Sequence, residues 1–131
     1  MERLQQITDS NHPLTGNIQD LYVASFPENE RRPWSSITEM IDSKSPFFTM
    51  NAILNDDDSF AGFITLWTLP DTRYVEHFAI RREQRGNGSG ARIISEVVNR
   101  AEGTPVVLEV ELPGDSPEAD RRIGFYKRNG F

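Results

Sequence analysis

One stretch in the second half of the chain limits the fold more than any other. Residues 75–80 form an apolar segment rich in strand formers, and residues 86–90 form a glycine-rich loop. In residues 91–101 the apolar side chains recur at helical spacing, which places them on one face. Glycines let a backbone turn tightly and approach a ligand, and the free N–H groups of a helix's first turn attract anions. The stretch therefore predicts a strand, a pyrophosphate-binding loop and a helix.

The rest of the chain supplies helices and strands on both sides of this stretch. We predict strands over residues 4–8, 47–54, 60–69, 74–80 and 106–112, and helices over 14–26, 36–41, 91–101 and 116–130. Residues 47–69 form a hairpin, whereas strand, helix and strand between 74 and 112 imply a parallel pair with a right-handed crossover. We expect a single α/β (α+β) domain over 1–131, with a mixed, mainly antiparallel sheet flanked by helices.

Composition removes several function classes. The chain has no cysteine, which excludes disulfides, thiolate zinc sites and a cysteine nucleophile. The net charge of −6 argues against a nucleic-acid partner, because nucleic-acid binders normally present a basic surface. Without a membrane-spanning run or a signal-peptide core, we expect a cytoplasmic protein with no membrane partner. The aspartates at 56–58 are predicted to form a solvated turn rather than a metal site, because calcium loops alternate their ligands.

Two short motifs give the chain a family resemblance. Residues 85–90, Arg-Gly-Asn-Gly-Ser-Gly, are similar to the (Gln/Arg)-x-x-Gly-x-(Gly/Ala) signature of the GNAT superfamily of N-acetyltransferases. Residues 126–131, Tyr-Lys-Arg-Asn-Gly-Phe, resemble the Tyr-x-x-x-Gly-Phe pattern on a later helix of that family. The resemblance implies an acyl-CoA N-acyltransferase (GNAT-like) fold. It also implies an acetyl-CoA-dependent enzyme that acetylates a primary amine of a small molecule or peptide by direct attack in a ternary complex.

The resemblance also implies where acetyl-CoA binds. In the family the loop holds the pyrophosphate, the preceding strand pairs with the pantetheine arm, and that strand splays away from the strand after the crossover. The residues expected at the pyrophosphate are Arg85, Gly86, Asn87, Gly88, Ser89 and Gly90, with the Arg85 side chain as a charge partner. Those expected to present backbone groups to the pantetheine arm are Phe78, Ala79 and Ile80, where Ala79 faces opposite to its neighbours. The family often has an asparagine where this chain has Ala119.

Acetyl transfer to an amine benefits from an acid for the departing thiolate and a base for the amine. Tyr126 resembles the family tyrosine that can act as the acid; alternatively it is a half-buried aromatic packed on Phe125. For the base, the chain offers Glu76 before the loop and Glu109 on the strand after it. Each glutamate is equally explained as the solvent side of a strand, and many family members use no dedicated base. We expect His77 to point away from Glu76 and to be structural.

The acceptor is less constrained. In the family a loop between the first two helices overhangs the acceptor site, so Arg31, Arg32 and Trp34 are candidate contacts, or else a solvated loop with an anchoring tryptophan. Glu111, two residues beyond Glu109 and therefore on the same strand face, is a further candidate. The glutamates favour a cationic acceptor and the arginines one with a carboxylate or phosphate.

Two other interpretations stay open. A non-catalytic acyl-CoA-binding module would share the fold, and residues 86–91 formally match the dinucleotide-binding pattern G-x-G-x-x-(G/A). Family members usually continue past the Gly-Phe pair with two more strands, so we expect a chain truncated at its C-terminus that lacks those strands. A bare apolar edge on the strand at 106–112 would invite association, so a homodimer is a further expectation.

Overall fold

The computed structural model describes residues 1–131 and contains a five-stranded sheet whose strands follow chain order. The strands are β1 (Arg3–Ile7), β2 (Phe48–Leu54), β3 (Phe60–Thr68), β4 (Arg73–Ile80) and β5 (Val106–Leu108). The helices are α1 (Thr15–Ser25), α2 (Trp34–Asp42), α3 (Ser89–Arg100) and α4 (Pro117–Arg128). All neighbouring strands are antiparallel except β4 and β5, which are parallel. The predicted mixed, mainly antiparallel sheet is confirmed.

Each face of the sheet has its own hydrophobic cluster. Successive strand residues point to opposite faces, so Phe63 lies in the cluster beneath α1 and α2 and Ile64 in the cluster beneath α3. Ile18 and Ile37 cover the first face, and Ile93 covers the second. Covering both faces explains why β2 and the first half of β3 are buried almost continuously rather than at alternate residues.

The topology excludes the dinucleotide-binding interpretation. That fold requires a mostly parallel sheet in which the glycine turn follows its strand directly. Here the β4–β5 pair is the sole parallel one, and a short 3-10 turn, Arg82–Gln84, separates β4 from the glycines. None of the helices combines the length and apolarity needed to cross a membrane.

Strand β5 is shorter than the sequence predicts, and the prediction of a strand over 106–112 was wrong beyond Leu108. The register pairs Arg73, Tyr74 and Val75 of β4 with residues 106–108, and no strand residue beyond these is paired. From Glu76 onward β4 diverges from β5, so the chain after Leu108 has no partner that would keep it extended. The two strands therefore splay apart, as the family resemblance implies, and residues 109–112 lie beyond the sheet.

A β-bulge in β4 overturns a second expectation. Thr65 of β3 pairs with His77 and Leu66 pairs with Val75, so Glu76 is an extra residue without a partner. A bulge interrupts the alternation of side chains. As a result Glu76 and His77 both contact the segment between α1 and α2, although strict alternation predicts opposite faces. The Glu76 carboxylate meets Arg32, and the His77 ring meets the Glu30 carbonyl oxygen at 3.0 Å.

Candidate active site

The glycine loop is held in a conformation that side chains disfavour. Gly86 and Gly88 have φ values of 87° and 84°, in the left-handed region that glycine adopts without steric cost. A Cβ atom at Gly88 would lie 2.9 Å from the Arg92 guanidinium, and one at Gly90 would lie 3.2 Å from the Phe125 ring. Glycines are thus needed both for the turn and for close packing of α3 against α4.

The loop presents backbone donors that nothing in the chain uses. The Ser89 N–H donates to the Asn87 side chain at 3.1 Å. The amides of the surrounding residues donate no hydrogen bond within the chain; these are Gly86, Asn87, Gly88, Gly90 and Ala91. Gly88 caps α3 and contributes no side-chain acceptor. Unpaired N–H groups at a helix N-terminus favour an anion, as the sequence predicts for this loop.

Positive charge surrounds the same loop, although the chain as a whole carries −6. Burial lowers the pKa of Arg85, and the charges of Arg121, Arg82 and Arg122 lower it further. The Arg85 Nε atom donates to the Ile80 carbonyl oxygen at 3.1 Å, which fixes the guanidinium beside the loop. Like charges destabilise one another, so this cluster would be stabilised by an anion.

The start of α3 is tied to the N-terminal residues. The Glu2 carboxylate accepts from the Arg92 Nε atom at 2.7 Å and from the Ser89 hydroxyl at 3.1 Å. The Arg92 guanidinium lowers the pKa of Glu2 to about 2. We call Glu2, Ser89 and Arg92 the α3 clamp. The clamp fixes the first turn of the helix from the side.

The strand preceding the loop has a free edge. Phe78 and Ile80 pack on the α3 side of the sheet and Ala79 packs on the α1 side, so both sets pack into a core rather than one alone. All three residues pair with β3, but β5 ends before it reaches them. The edge of β4 that faces away from β3 therefore has no strand partner along the residues predicted to face the pantetheine arm, and the Ile80 carbonyl oxygen accepts from the Arg85 Nε atom.

Tyr126 lies on α4 and packs against the hydrophobic cluster on the α3 side of the sheet. Its ring packs between Phe125 and Phe131, at centroid distances of 5.1 and 5.6 Å. Its hydroxyl makes no hydrogen bond within the chain, and burial raises the pKa of Tyr126 to about 12. Tyr126 can therefore serve both predicted roles, as an aromatic residue packed on Phe125 and as a proton donor.

The two glutamates after β5 have different surroundings. Glu111 accepts from Arg122 at 2.6 Å, and its second carboxylate oxygen is buried without a hydrogen-bond partner. Glu109 is exposed and lies near Tyr74, whose pKa is raised by burial and then by the Glu109 charge. The shared strand face predicted for these glutamates does not exist, because both lie past the end of β5.

Among the three candidate site glutamates, Glu76 is the one most enclosed by neighbouring groups. One carboxylate oxygen accepts from the Arg32 Nε atom at 2.8 Å, and the other accepts from the Trp67 indole N–H at 3.0 Å. The Arg32 guanidinium lies over the Trp67 ring, 5.5 Å from its centroid. Only 12% of the Glu76 side chain is exposed, compared with 44% of Arg32. We call Arg32, Trp67 and Glu76 the acceptor triad.

The segment before α2 holds the other predicted acceptor contacts. Trp34 was predicted to lie in a loop, but it is the first residue of α2 and packs 5.8 Å from the Tyr22 ring. Arg31 has no acidic partner within salt-bridge distance, and its Nε atom is buried without a hydrogen-bond partner. His77 lies edge-on to the Tyr22 ring at 4.8 Å, which agrees with a structural role.

Sequence reasoning missed Trp67 and Arg122. Trp67 holds Glu76 and carries the face on which Arg32 lies, and Arg122 neutralises Glu111. No local sequence pattern distinguishes either residue as functional, because Trp67 lies in a strand rich in aromatic residues and Arg122 lies in a helix rich in charged ones. Their partners lie 9 and 11 residues away in the chain, across turns whose geometry the sequence does not specify.

The comparisons with known proteins agree with this geometry. The model of the acetyltransferase (GNAT) family matches residues 15–131. A structure from Bacteroides thetaiotaomicron assigned to the same family is 38% identical, covers 98% of this chain and 70% of its own, and has a TM-score of 0.81. No curated protein sequence is significantly similar.

Two more distant structures share the fold. AAC(6')-Iy, solved with the bisubstrate analogue CoA-S-monomethyl-acetylneamine, has a TM-score of 0.69 at 11% identity, over 100% of this chain and 90% of its own. A ribosomal-protein-alanine N-acetyltransferase from Brucella melitensis also has a TM-score of 0.69, at 15% identity over 97% and 89%. At these identities the likeness shows the fold alone.

Proposed function

Because the chain belongs to the GNAT family of acetyltransferases, we propose that it transfers the acetyl group of acetyl-CoA to a primary amine. The acceptor is a small molecule or peptide, and the amine attacks directly in a ternary complex. The observation that carries the proposal is the divergence of β4 from β5 after Val75, directly before a loop of unpaired amides. The unpaired edge of β4 and the anion site therefore follow one another directly along the chain.

The residues around the divergence fit acetyl-CoA. The unpaired amides at 86–91 and the Arg85 charge suit the pyrophosphate. Phe78, Ala79 and Ile80 have no β5 partner, which leaves that side of the strand to the amide groups of the pantetheine arm. When bound, acetyl-CoA supplies an acetyl thioester, whose carbonyl carbon accepts the amine while the carbon–sulfur bond breaks.

Tyr126 is the proposed acid for the departing thiolate. Because burial raises its pKa to about 12, the hydroxyl is protonated throughout the physiological range. It has no hydrogen-bond acceptor within the chain that would compete for its proton. A protonated and unengaged hydroxyl is suited to donating to a sulfur atom as negative charge develops there.

Glu76 is the proposed base, in preference to Glu109. It is the first residue of β4 beyond the paired part, so it lies at the point where the strands separate. Glu109 is exposed and Glu111 is neutralised by Arg122, so neither is as well placed. Glu76 takes the proton that the amine loses, and Tyr126 supplies the one that the thiolate gains.

A second candidate function is favoured by one observation. Glu76 already accepts hydrogen bonds from Arg32 and Trp67, as expected if the acceptor site were closed and the chain only bound acyl-CoA. We also propose that the protein is cytoplasmic. A homodimer stays a prediction.

Calorimetric titration with acetyl-CoA, and separately with NAD, tests the proposal. We expect micromolar binding of acetyl-CoA and none of NAD. Release of free thiol from acetyl-CoA in the presence of an amine panel then separates an enzyme from a binding module. Binding without thiol release for any primary amine would support the module, and absence of acetyl-CoA binding would refute both.

A further inference from the structure

We propose that the acceptor is a zwitterionic amine, one that carries an anionic group such as a carboxylate close to its amine. We further propose that Arg32 occupies the position of the acceptor's ammonium group until the acceptor binds. The inference rests on the proposed acetyl transfer and identifies the acceptor class of that same site.

The acceptor triad already has the chemistry of a cation site. A carboxylate and the face of a tryptophan ring are the two groups that bind organic cations most favourably in proteins. Glu76 supplies the first and Trp67 the second, and the indole N–H holds the carboxylate in place at 3.0 Å. In this structure the cation bound there is the chain's own Arg32 guanidinium.

The triad also lies on the amine's route. Glu76 is the first β4 residue beyond the part paired with β5, so it lies at the opening in which an amine would attack a thioester. Arg32 covers it from the solvent side, since 44% of its side chain is exposed and only 12% of Glu76. The backbone of Arg32 is anchored, because its N–H donates to the Tyr22 hydroxyl at 2.6 Å. The side chain can therefore leave without the loop moving.

Charge balance selects a zwitterion. A simple ammonium that displaced Arg32 from Glu76 would leave a guanidinium unpaired beside Arg31, which has no acidic partner either. Separating a partly buried ion pair without replacing both partners is costly. An acceptor with both charges exchanges the pair: its ammonium takes Glu76 and its anionic group takes Arg32, with Arg31 adjacent. A polycation would instead add positive charge next to two unpaired arginines.

The exchange leads into the proposed chemistry. Once the ammonium binds Glu76, it loses one proton to solvent, and the neutral nitrogen attacks the thioester carbonyl while the Glu76 carboxylate accepts the second proton that the nitrogen loses. The carbon–sulfur bond breaks, and the sulfur takes its proton from Tyr126. Arg32, now paired with the acceptor's anionic group, orients the acceptor.

The indole N–H of Trp67 provides a direct readout. We would record ¹⁵N NMR spectra of the full chain with saturating coenzyme A and assign the two tryptophan indoles by comparison with Trp34→Phe. L-amino acids, each paired with its own amide, are then titrated, because the amide keeps the ammonium and lacks the carboxylate. Spermidine serves as the polycation and O-phosphoethanolamine as an amine with a phosphate.

At least one amino acid or the phosphate compound should shift the Trp67 indole signal, with an affinity at least about tenfold higher than the matched amide or spermidine. Arg32→Gln should remove that preference and improve binding of the amides. Arg100→Gln should change nothing, since it breaks a remote pair of the same 2.8 Å length.

Two results would overturn the inference. One is tighter binding of amides or spermidine than of the acids, which would indicate a plain cationic acceptor. The other is an unmoved Trp67 signal with every compound, which would mean that the triad is only structural. Failure of acetyl-CoA to bind in the separate calorimetric titration would count against the proposed function instead, so the two failures are distinguishable.

Discussion

The two sides of the candidate site differ in how their polar groups are paired. On the cofactor side, the loop amides have no partners and the arginines around Arg85 repel one another. On the acceptor side, Glu76, Arg32 and Trp67 satisfy each other. The first region is preorganised for a ligand that it must attract, whereas the second must exchange an internal partner for an external one. Binding on the cofactor side should therefore depend on backbone shape, and binding on the acceptor side on side-chain charge.

Gly88→Glu is the change expected to have the largest effect. It forces a side chain into the left-handed region, meets the Arg92 guanidinium and adds a negative charge beside the unpaired amides. We expect affinity for acetyl-CoA to fall by roughly 100-fold or more in a calorimetric titration. Gly103→Glu is the matched control, because Gly103 also has a positive φ but has open space around it. Equal losses in the two variants would mean that the loop acts only through stability.

Tyr126→Phe tests the chemistry that follows cofactor binding. Loss of the hydroxyl should lower kcat by roughly 100-fold, a usual effect of removing a general acid. The KM for acetyl-CoA should change little, because the ring still packs between Phe125 and Phe131. Because the pKa of Tyr126 is raised to about 12, its hydroxyl stays protonated below pH 10. The pH–rate profiles of the wild type and the variant should therefore have the same shape up to pH 10. An unchanged kcat would assign the tyrosine to packing alone.

Glu76→Gln tests the acceptor side against Glu109→Gln. The amide keeps a carbonyl oxygen for the Trp67 indole but cannot accept the amine's proton or pair with Arg32. We expect kcat/KM for the acceptor to fall by roughly 10- to 100-fold, and by less than about twofold for the exposed Glu109. The affinity for acetyl-CoA should be unaffected in both. Equal effects of the two substitutions would remove the distinction that we draw between these glutamates.

The same contrast explains what the sequence alone could predict. The glycine turn between β4 and α3 and the position of Tyr126 on the last helix agree with the predicted elements, because their spacing and backbone demands are local. The start of α4 was also predictable, since Ser116 caps the helix with a 3.0 Å bond from the Ala119 N–H. Features of this kind depend on residues that are close together in the sequence, so the sequence predicts them.

The acceptor side depends on non-local geometry instead. The end of β5 at Leu108 is set by the divergence of its neighbour, and the bulge at Glu76 is set by its pairing with β3. Neither the strand end nor the bulge can be recognised from the local sequence pattern. A prediction from strict alternation therefore wrongly placed Glu111 on the same face as Glu109, and His77 on the face opposite Glu76. The triad itself joins three elements that are 9 to 44 residues apart.

The smallest effect should come from the α3 clamp, which connects the cofactor side to the N-terminal residues. Because the pKa of Glu2 is lowered to about 2, its contribution to stability is full above the ordinary glutamate pKa and is lost as pH falls from that pKa toward about 2. Glu2→Gln should therefore lower the melting temperature by a few degrees at pH 7, and the difference should shrink in acid.

Glu96→Gln provides the control for this experiment, because the Glu96–Arg100 pair is more exposed and should contribute less. If the clamp also holds the first turn of α3 in register for the pyrophosphate, Glu2→Gln should weaken acetyl-CoA binding by about twofold to fivefold. A stability loss without any loss of affinity would show that the loop is preorganised by its glycines alone. The contrast between the two sides would then be sharper, with one determined by backbone and the other by charge.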